Sequence, residues 1–258
     1  MQPLRHALPD GPTTLSIAAF LLFWQACAFL AADPLLFPGP ARVLLTIIEE
    51  AASGALFFHT SATLARVTVA FFLALILGSG LGLWLGLSPQ LARWAGPWVA
   101  IFLNLPALVV IVLCYVWIGL NETAAILAVT LAKMPMVLAT VREGVAQFDR
   151  GLADMATVFR LSRMTQIRYI YLPQLTPYFA VSARNGIAVI WKIVLMVEFL
   201  GRSSGAGFQI HLYFQLFDLA HVLAYALSFV AIMVAVDIGL VQPLVRHASR
   251  WRPAMVSA

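Results

Sequence analysis

The chain holds only two lysines, Lys133 and Lys192, and both lie deep inside long apolar runs, with Glu198 near the end of the second run. An ionised side chain among lipid tails costs several kcal/mol unless it faces protein or water, so such charges mark either a hydrated path or a buried ion pair. In the first reading, Lys133 and Lys192 form the positive wall of a path that draws an anion, and Glu198 stands at its outer mouth. In the second, the same residues fix helix register or reach along their stems to the interface. Arg184 and Asp237, nearer the inner ends of their runs, read as structural. The residues for bond-making chemistry are missing. A phosphate-cradling Gly-x-x-x-x-Gly-Lys-Ser/Thr loop is excluded because neither lysine follows a glycine. The histidines at 6, 59, 211, 221 and 247 lack paired metal-ligand spacing, and no Gly-x-Ser-x-Gly elbow occurs. The expectation is a chain with no catalytic residues, no metal and no cofactor of its own.

The elements that carry these charges follow from composition. Of 258 residues, 62% are hydrophobic and 10% charged, and the mean hydropathy is +0.92, which places the chain in a bilayer. Crossing ~30 Å of hydrocarbon takes about 20 apolar helical residues. Six stretches approach that, at 15–32, 62–87, 98–118, 123–141, 175–200 and 220–243. They are long and rich in Leu, Ala, Val and Ile, and lack the ten-residue alternation of a barrel, so the fold class is an all-α polytopic membrane bundle of about six helices. Residues 15–61 form an anchor helix plus an interfacial segment, 62–243 a five-helix core, and 1–258 one membrane domain. Cys27 and Cys114 fall inside spans and read as packing residues. Pro106 predicts a kink in the third span. Gly78, Gly80, Gly82 and Gly86 predict close helix packing in the second. Residues 41–58 read as amphipathic, lying flat at the outer interface.

Retention of positive charge in cytoplasmic loops sets the orientation. With the N-terminus inside, Arg5, Arg93, Arg142, Arg150, Arg160, Arg163, Arg168, Arg246, Arg250 and Arg252 collect on the cytoplasmic side. Only Arg42, Arg66 and Arg202 lie opposite. Both termini are then cytoplasmic. The sequence pI of about 9.6 follows from this topology, and no clustered soluble basic domain exists for nucleic acid.

Between the fourth and fifth spans, residues 142–174 form the longest polar insertion. Leu152, Met155, Ala156 and Phe159 recur at helical spacing there. So short a helix is not stable alone and needs a surface to lie on. A solvated loop on anionic headgroups is the bland alternative.

The segment resembles the signature of type I ABC-importer permeases, the binding-protein-dependent inner-membrane components: Glu-Ala-Ala, three residues, Gly, nine residues, Ile, one residue, Leu-Pro. Asp154, Met155 and Ala156 take the first places, Phe159, Arg160 and Leu161 surround the glycine position, and Ile170, Leu172 and Pro173 match at the expected spacing. His59, residues 62–67, the Gly78–Gly86 run and Glu198 with Gly205 and Gly207 extend the resemblance, within which the chain is similar to the nitrate, taurine and aliphatic sulfonate subfamily. The resemblance implies a coupling helix seated in cytoplasmic ABC ATPase subunits that bind ATP and Mg. It also implies an extracytoplasmic solute-binding protein under the outer loop at 201–207, a second permease copy forming a homodimer, and a location in the inner membrane. The resemblance implies a small solute of the kind that subfamily serves, chosen by the binding protein, and the positive interior of Lys133 and Lys192 points to an anion. Arg160 departs from the pattern: where the glycine serves a positive φ, a bulky residue costs about 1 kcal/mol or more. Either the turn is continuous helix or an acidic contact on the ATPase offsets that cost. An ion-driven secondary transporter or channel is the reading from another class, and no internal repeat of the kind common in such folds is visible.

Overall fold

Runs of Leu, Ala, Val and Ile, with no aqueous partner for the backbone, leave helix as the conformation that satisfies every N–H and C=O internally. The computed structural model describes residues 11–31, 33 and 35–243, and within these every regular element is a helix. They are α1 (Gly11–Ala31), α2 (Pro40–Ala52), α3 (Ala55–Leu87), α4 (Pro89–Asn104), α5 (Ala107–Ile118), α6 (Glu122–Ala146), α7 (Arg150–Val158), α8 (Arg163–Gln166), α9 (Leu172–Gly201), α10 (Ala206–Gln215) and α11 (Leu219–Val236). A π-helical turn, Ile167–Tyr171, joins α8 to α9, and a second, Asp237–Val241, follows α11. Met164–Gly201 therefore runs as one helix of 38 residues.

Five helices are long and apolar enough to cross a membrane, or six if α4 and α5 count as one span. The expected third span is corrected. It is two helices bent by 97°, because Pro106 has no N–H for a helical bond and drives Leu105 out of the helical region to ψ 123°. Residues 89–97, read as a loop, belong to α4. The expected flat segment at 41–58 is likewise divided. α2 stops at Ala52, Gly54 turns the chain at φ 81°, and α3 begins at Ala55 rather than at residue 62. α2 lies against α11 and α3, joined by the Tyr225 hydroxyl donating to Glu50. Arg5, Arg246, Arg250 and Arg252, which carry part of the expected sidedness, lie outside the described residues.

α3, α6 and α9 are the centre of the bundle. α3 and α6 run in the same direction and touch along a stripe of small residues. A β-carbon at Gly78 would lie 2.7 Å from Val137 Cβ, at Gly82 2.6 Å from the Leu138 carbonyl, and at Gly86 2.6 Å from Val145 Cβ. Without a hydrophobic drive between lipid-solvated helices, this backbone approach supplies the dispersion contact that holds them. Gly80, one of the four glycines read as packing residues, faces open space. The bundle thus has two ends, one carrying α7 and α8 and the other α10.

Candidate functional site

At the α7 end, Asp149 caps its helix by accepting from the Gly151 N–H at 2.7 Å. One face is left bare: Leu152 and Met155 are half-exposed, Val158 and Phe159 are 77% and 70% exposed, and Ala156 is buried. Four apolar side chains on so short a helix form a patch with none of the described residues over it. Asp154 is exposed as well. Ile170 is buried where the chain re-enters the bundle, and Leu172 and Pro173 open α9.

The helix ends in a Schellman turn. The Leu161 N–H donates to the Ala156 carbonyl at 3.0 Å and the Arg160 N–H to the Thr157 carbonyl at 3.1 Å, which forces Arg160 to φ 49°. This is the left-handed C′ position that glycine occupies without cost. The turn is therefore a true helix break, not continuous helix, and Arg160 adopts the conformation that the motif glycine allows.

The two lysines are not brought together. Lys133 is 2% exposed, with its Nζ 2.7 Å from Met136 Sδ; among the described residues no carboxylate reaches it. Gly186 on α9 leaves room beside it, since a β-carbon there would lie 3.6 Å from Lys133 Cε and 3.5 Å from Phe71. Lys192 is exposed on α9, on the same helix face as exposed Asn185 and Ala188. An exposed lysine in the middle of a membrane span requires water or another protein surface.

Glu198 stands apart from both and is 0% exposed. Its Oε1 accepts from Arg66 Nη1 at 2.7 Å, and its Oε2 accepts from the Thr63 hydroxyl and the Gly207 N–H, each at 2.9 Å. The carboxylate is enclosed by these partners at the α10 end and reaches no solvent. Arg66, expected only to mark sidedness, is the centre of that cluster. All five of its N–H groups are used: on Glu122 at 2.6 and 3.1 Å, on Glu198, on the Ser204 carbonyl at 2.7 Å and on the Ser204 hydroxyl at 2.8 Å. Arg202 adds a 2.7 Å pair with Glu122. Two arginines and two glutamates thereby neutralise one another across α3, α6 and α9.

The cluster also builds α10, whose first residues fall in the outer loop expected at 201–207. The first N–H groups of a helix have no partner within it. Here Gly205 donates to His59 Nδ1 at 3.1 Å, Ala206 to Thr63 Oγ1 at 2.8 Å, and Gly207 to Glu198. Gly205 at φ 116° is packed so closely on the Glu198 carboxyl that no β-carbon fits. The one signal in the sequence is an arginine and a glutamate placed in separate apolar runs near the same end.

Comparison with known proteins identifies what the chain as a whole is similar to. The family model described as binding-protein-dependent transport system inner membrane component matches residues 74–242. The chain is 28% identical over 254 residues to the taurine transport system permease protein TauC of Escherichia coli (strain K12), covering 96% of this chain and 92% of that one. It is 27% identical over 236 residues to the putative aliphatic sulfonates transport permease protein SsuC of Bacillus subtilis (strain 168), covering 91% and 85%. In fold it is similar to a solved inward-facing MetNI methionine ABC transporter, with a TM-score of 0.67 at 19% identity, over 78% of this chain and 99% of that one.

Proposed function

The chain belongs to the family of binding-protein-dependent transport system inner membrane components, and from that premise we propose that α7 is the helix through which it is driven by cytoplasmic ATPase subunits. It is the permease component of an ABC importer, so its work is conformational and the energy source lies in a partner. The observation that carries the reading is the bare apolar face of α7: Leu152, Met155, Val158 and Phe159, with Ala156 holding the helix to the rest of the chain. Small apolar helix faces of this kind are seated in grooves of partner proteins. Asp154, Arg160 and Leu161 frame the contact, and Ile170, Leu172 and Pro173 fix where α9 begins. ATP and Mg belong to the ATPase. The α7 end is then cytoplasmic, as are both termini, and the α10 end receives the solute-binding protein.

The path runs along the uncovered face of α9 that carries Lys192. A second copy of this chain supplies the opposing wall, because two-fold association is the usual form of such assemblies and Lys192 cannot face lipid. Residues 1–258 act as one permease domain, in which α1 and the segment to residue 61 anchor the core. Lys192, and Lys133 once its helices separate, favour a small anionic solute. Taurine and aliphatic sulfonates, the solutes named for the two relatives, both carry a sulfonate group. Glu198 takes part as the closure of the path at the α10 end. The test is uptake of radiolabelled taurine and of an alkanesulfonate by proteoliposomes carrying the complete complex. Lys192→Gln should lower uptake by roughly tenfold, the scale of one lost charge contact, while ATPase association persists; unchanged uptake of both solutes contradicts the assigned path.

A further inference from the structure

The Arg66 cluster does more than hold a helix end, and its geometry suggests how the two ends of the bundle communicate. α10 has ten residues, too few for a helix to stand alone. Its entry is fixed by acceptors from other helices, with His59 and Thr63 on α3 and Glu198 on α9. Glu198 and Arg202 sit at one end of the uninterrupted helix Met164–Gly201, and the other end of that helix continues directly from the α7 segment. Arg66 sits on α3, which is locked to α6 through the glycine stripe. A shift of the long helix against the α3–α6 pair therefore has to act across the Arg66–Glu198 contact and the Arg202–Glu122 pair beside it. Hydrogen bonds of 2.7–2.9 Å there weaken steeply with displacement, and a packed cluster with alternative partners switches between discrete arrangements. Glu122, 45% exposed and bidentate to Arg66, keeps the guanidinium paired when Glu198 withdraws.

We propose that Arg66 is a positioning residue that latches α10 onto the long helix through Glu198, and that release of this pair opens the α10 end of the permease when the α7 end is driven. Closed, the latch caps α10 with the Glu198 carboxylate. Open, Arg66 stays on Glu122, and α10 cannot keep both its α3 acceptors, His59 and Thr63, and its α9 acceptor, Glu198. The inference rests on the reading of α7 as the ATPase-coupling helix.

The test uses the complex of full-length permease and ATPase in proteoliposomes, with the solute-binding protein added or withheld. Cys27 and Cys114 are replaced by alanine, and Ala206→Cys, at the buried first residue of α10, reports opening through its rate of labelling by a water-soluble maleimide. ATP should speed that labelling, and Glu198→Gln should speed it without ATP, each on the order of tenfold, as expected for a coupling of this kind. Glu198→Gln should also raise ATP hydrolysis in the absence of binding protein, bringing the stimulated-to-basal ratio close to one. Glu198→Gln keeps the side-chain volume and an acceptor for Gly207, and Arg66 keeps Glu122, so the fold is retained. Arg66→Lys, which keeps the charge but loses the fork, should show an intermediate ratio. Labelling that is blind to ATP in a complex that hydrolyses ATP overturns the latch. So does a lowered melting temperature with an unchanged ratio, which is the mark of a purely structural cluster. Failure of the ATPase to associate at all overturns the coupling reading instead. In that case the Glu198→Gln labelling rate, measured on the permease alone, still decides whether the pair holds α10 shut.

Discussion

Arg160 shows how a single residue can break a local rule within a retained motif. Its left-handed φ of 49° closes a Schellman turn that α7 needs in order to end, and arginine occupies it at a cost glycine does not have. Arg160→Gly should raise stability by about 1 kcal/mol, seen as a higher thermal midpoint of the isolated permease in detergent; an unchanged or lower midpoint argues that the arginine side chain offsets its own strain. Gly205 is the opposite case. At φ 116° with the Glu198 carboxyl in the place of a side chain, Gly205→Ala should disrupt the entry of α10 and cost more than about 2 kcal/mol, detected as a loss of thermal stability well beyond that of any surface substitution. Lys133 and Glu198 were legible as charges in spans, but not their surroundings. The partners of Glu198 come from positions separated from it by up to 135 residues along the chain, and periodicity carries no information on which remote side chains meet.

Among the elements, the fourth and fifth apolar runs were legible to within about five residues at their ends, since hydropathy over 20 residues averages out local detail, whereas α3 begins at Ala55, seven residues before the expected 62, and the third run is two helices. α6 spans Glu122–Ala146 against an expected 123–141, and α9 reaches Gly201 against 200. Elements defined by remote contacts were missed. α10 begins in a glycine- and serine-rich stretch that reads as loop because the groups capping it lie on α3 and α9. The α4–α5 break was signalled by Pro106 as a kink, but its 97° angle depends on where the two helices find packing. The glycine run divides by face in a way that periodicity alone could indicate and contacts alone could settle. Gly82→Leu should separate α3 from α6 and abolish folded protein, because its β-carbon would meet the Leu138 backbone. Gly80→Leu should be accepted, and comparison of the two by size-exclusion profile and thermal midpoint checks the assignment. Equal tolerance at both positions contradicts the stripe.

The whole molecule joins a bare apolar helix at one end, a buried ion cluster at the other and a single helix between them, Met164–Gly201. Membership in the permease family gives this arrangement its function, and under the proposal the drive enters through α7. The most direct measurement is co-purification: the tagged permease is expressed with the ATPase of the same transport system, and retained ATPase is quantified for the wild type and for Val158→Asp with Phe159→Asp. These two side chains are exposed and contribute little to the fold, so the doubly substituted chain should elute and melt like the wild type. If α7 carries the drive, the wild type retains the ATPase stably and the paired aspartates reduce retention by at least roughly tenfold, as for charges placed in a small apolar contact. Equal retention of ATPase by both folded proteins would contradict that role of α7.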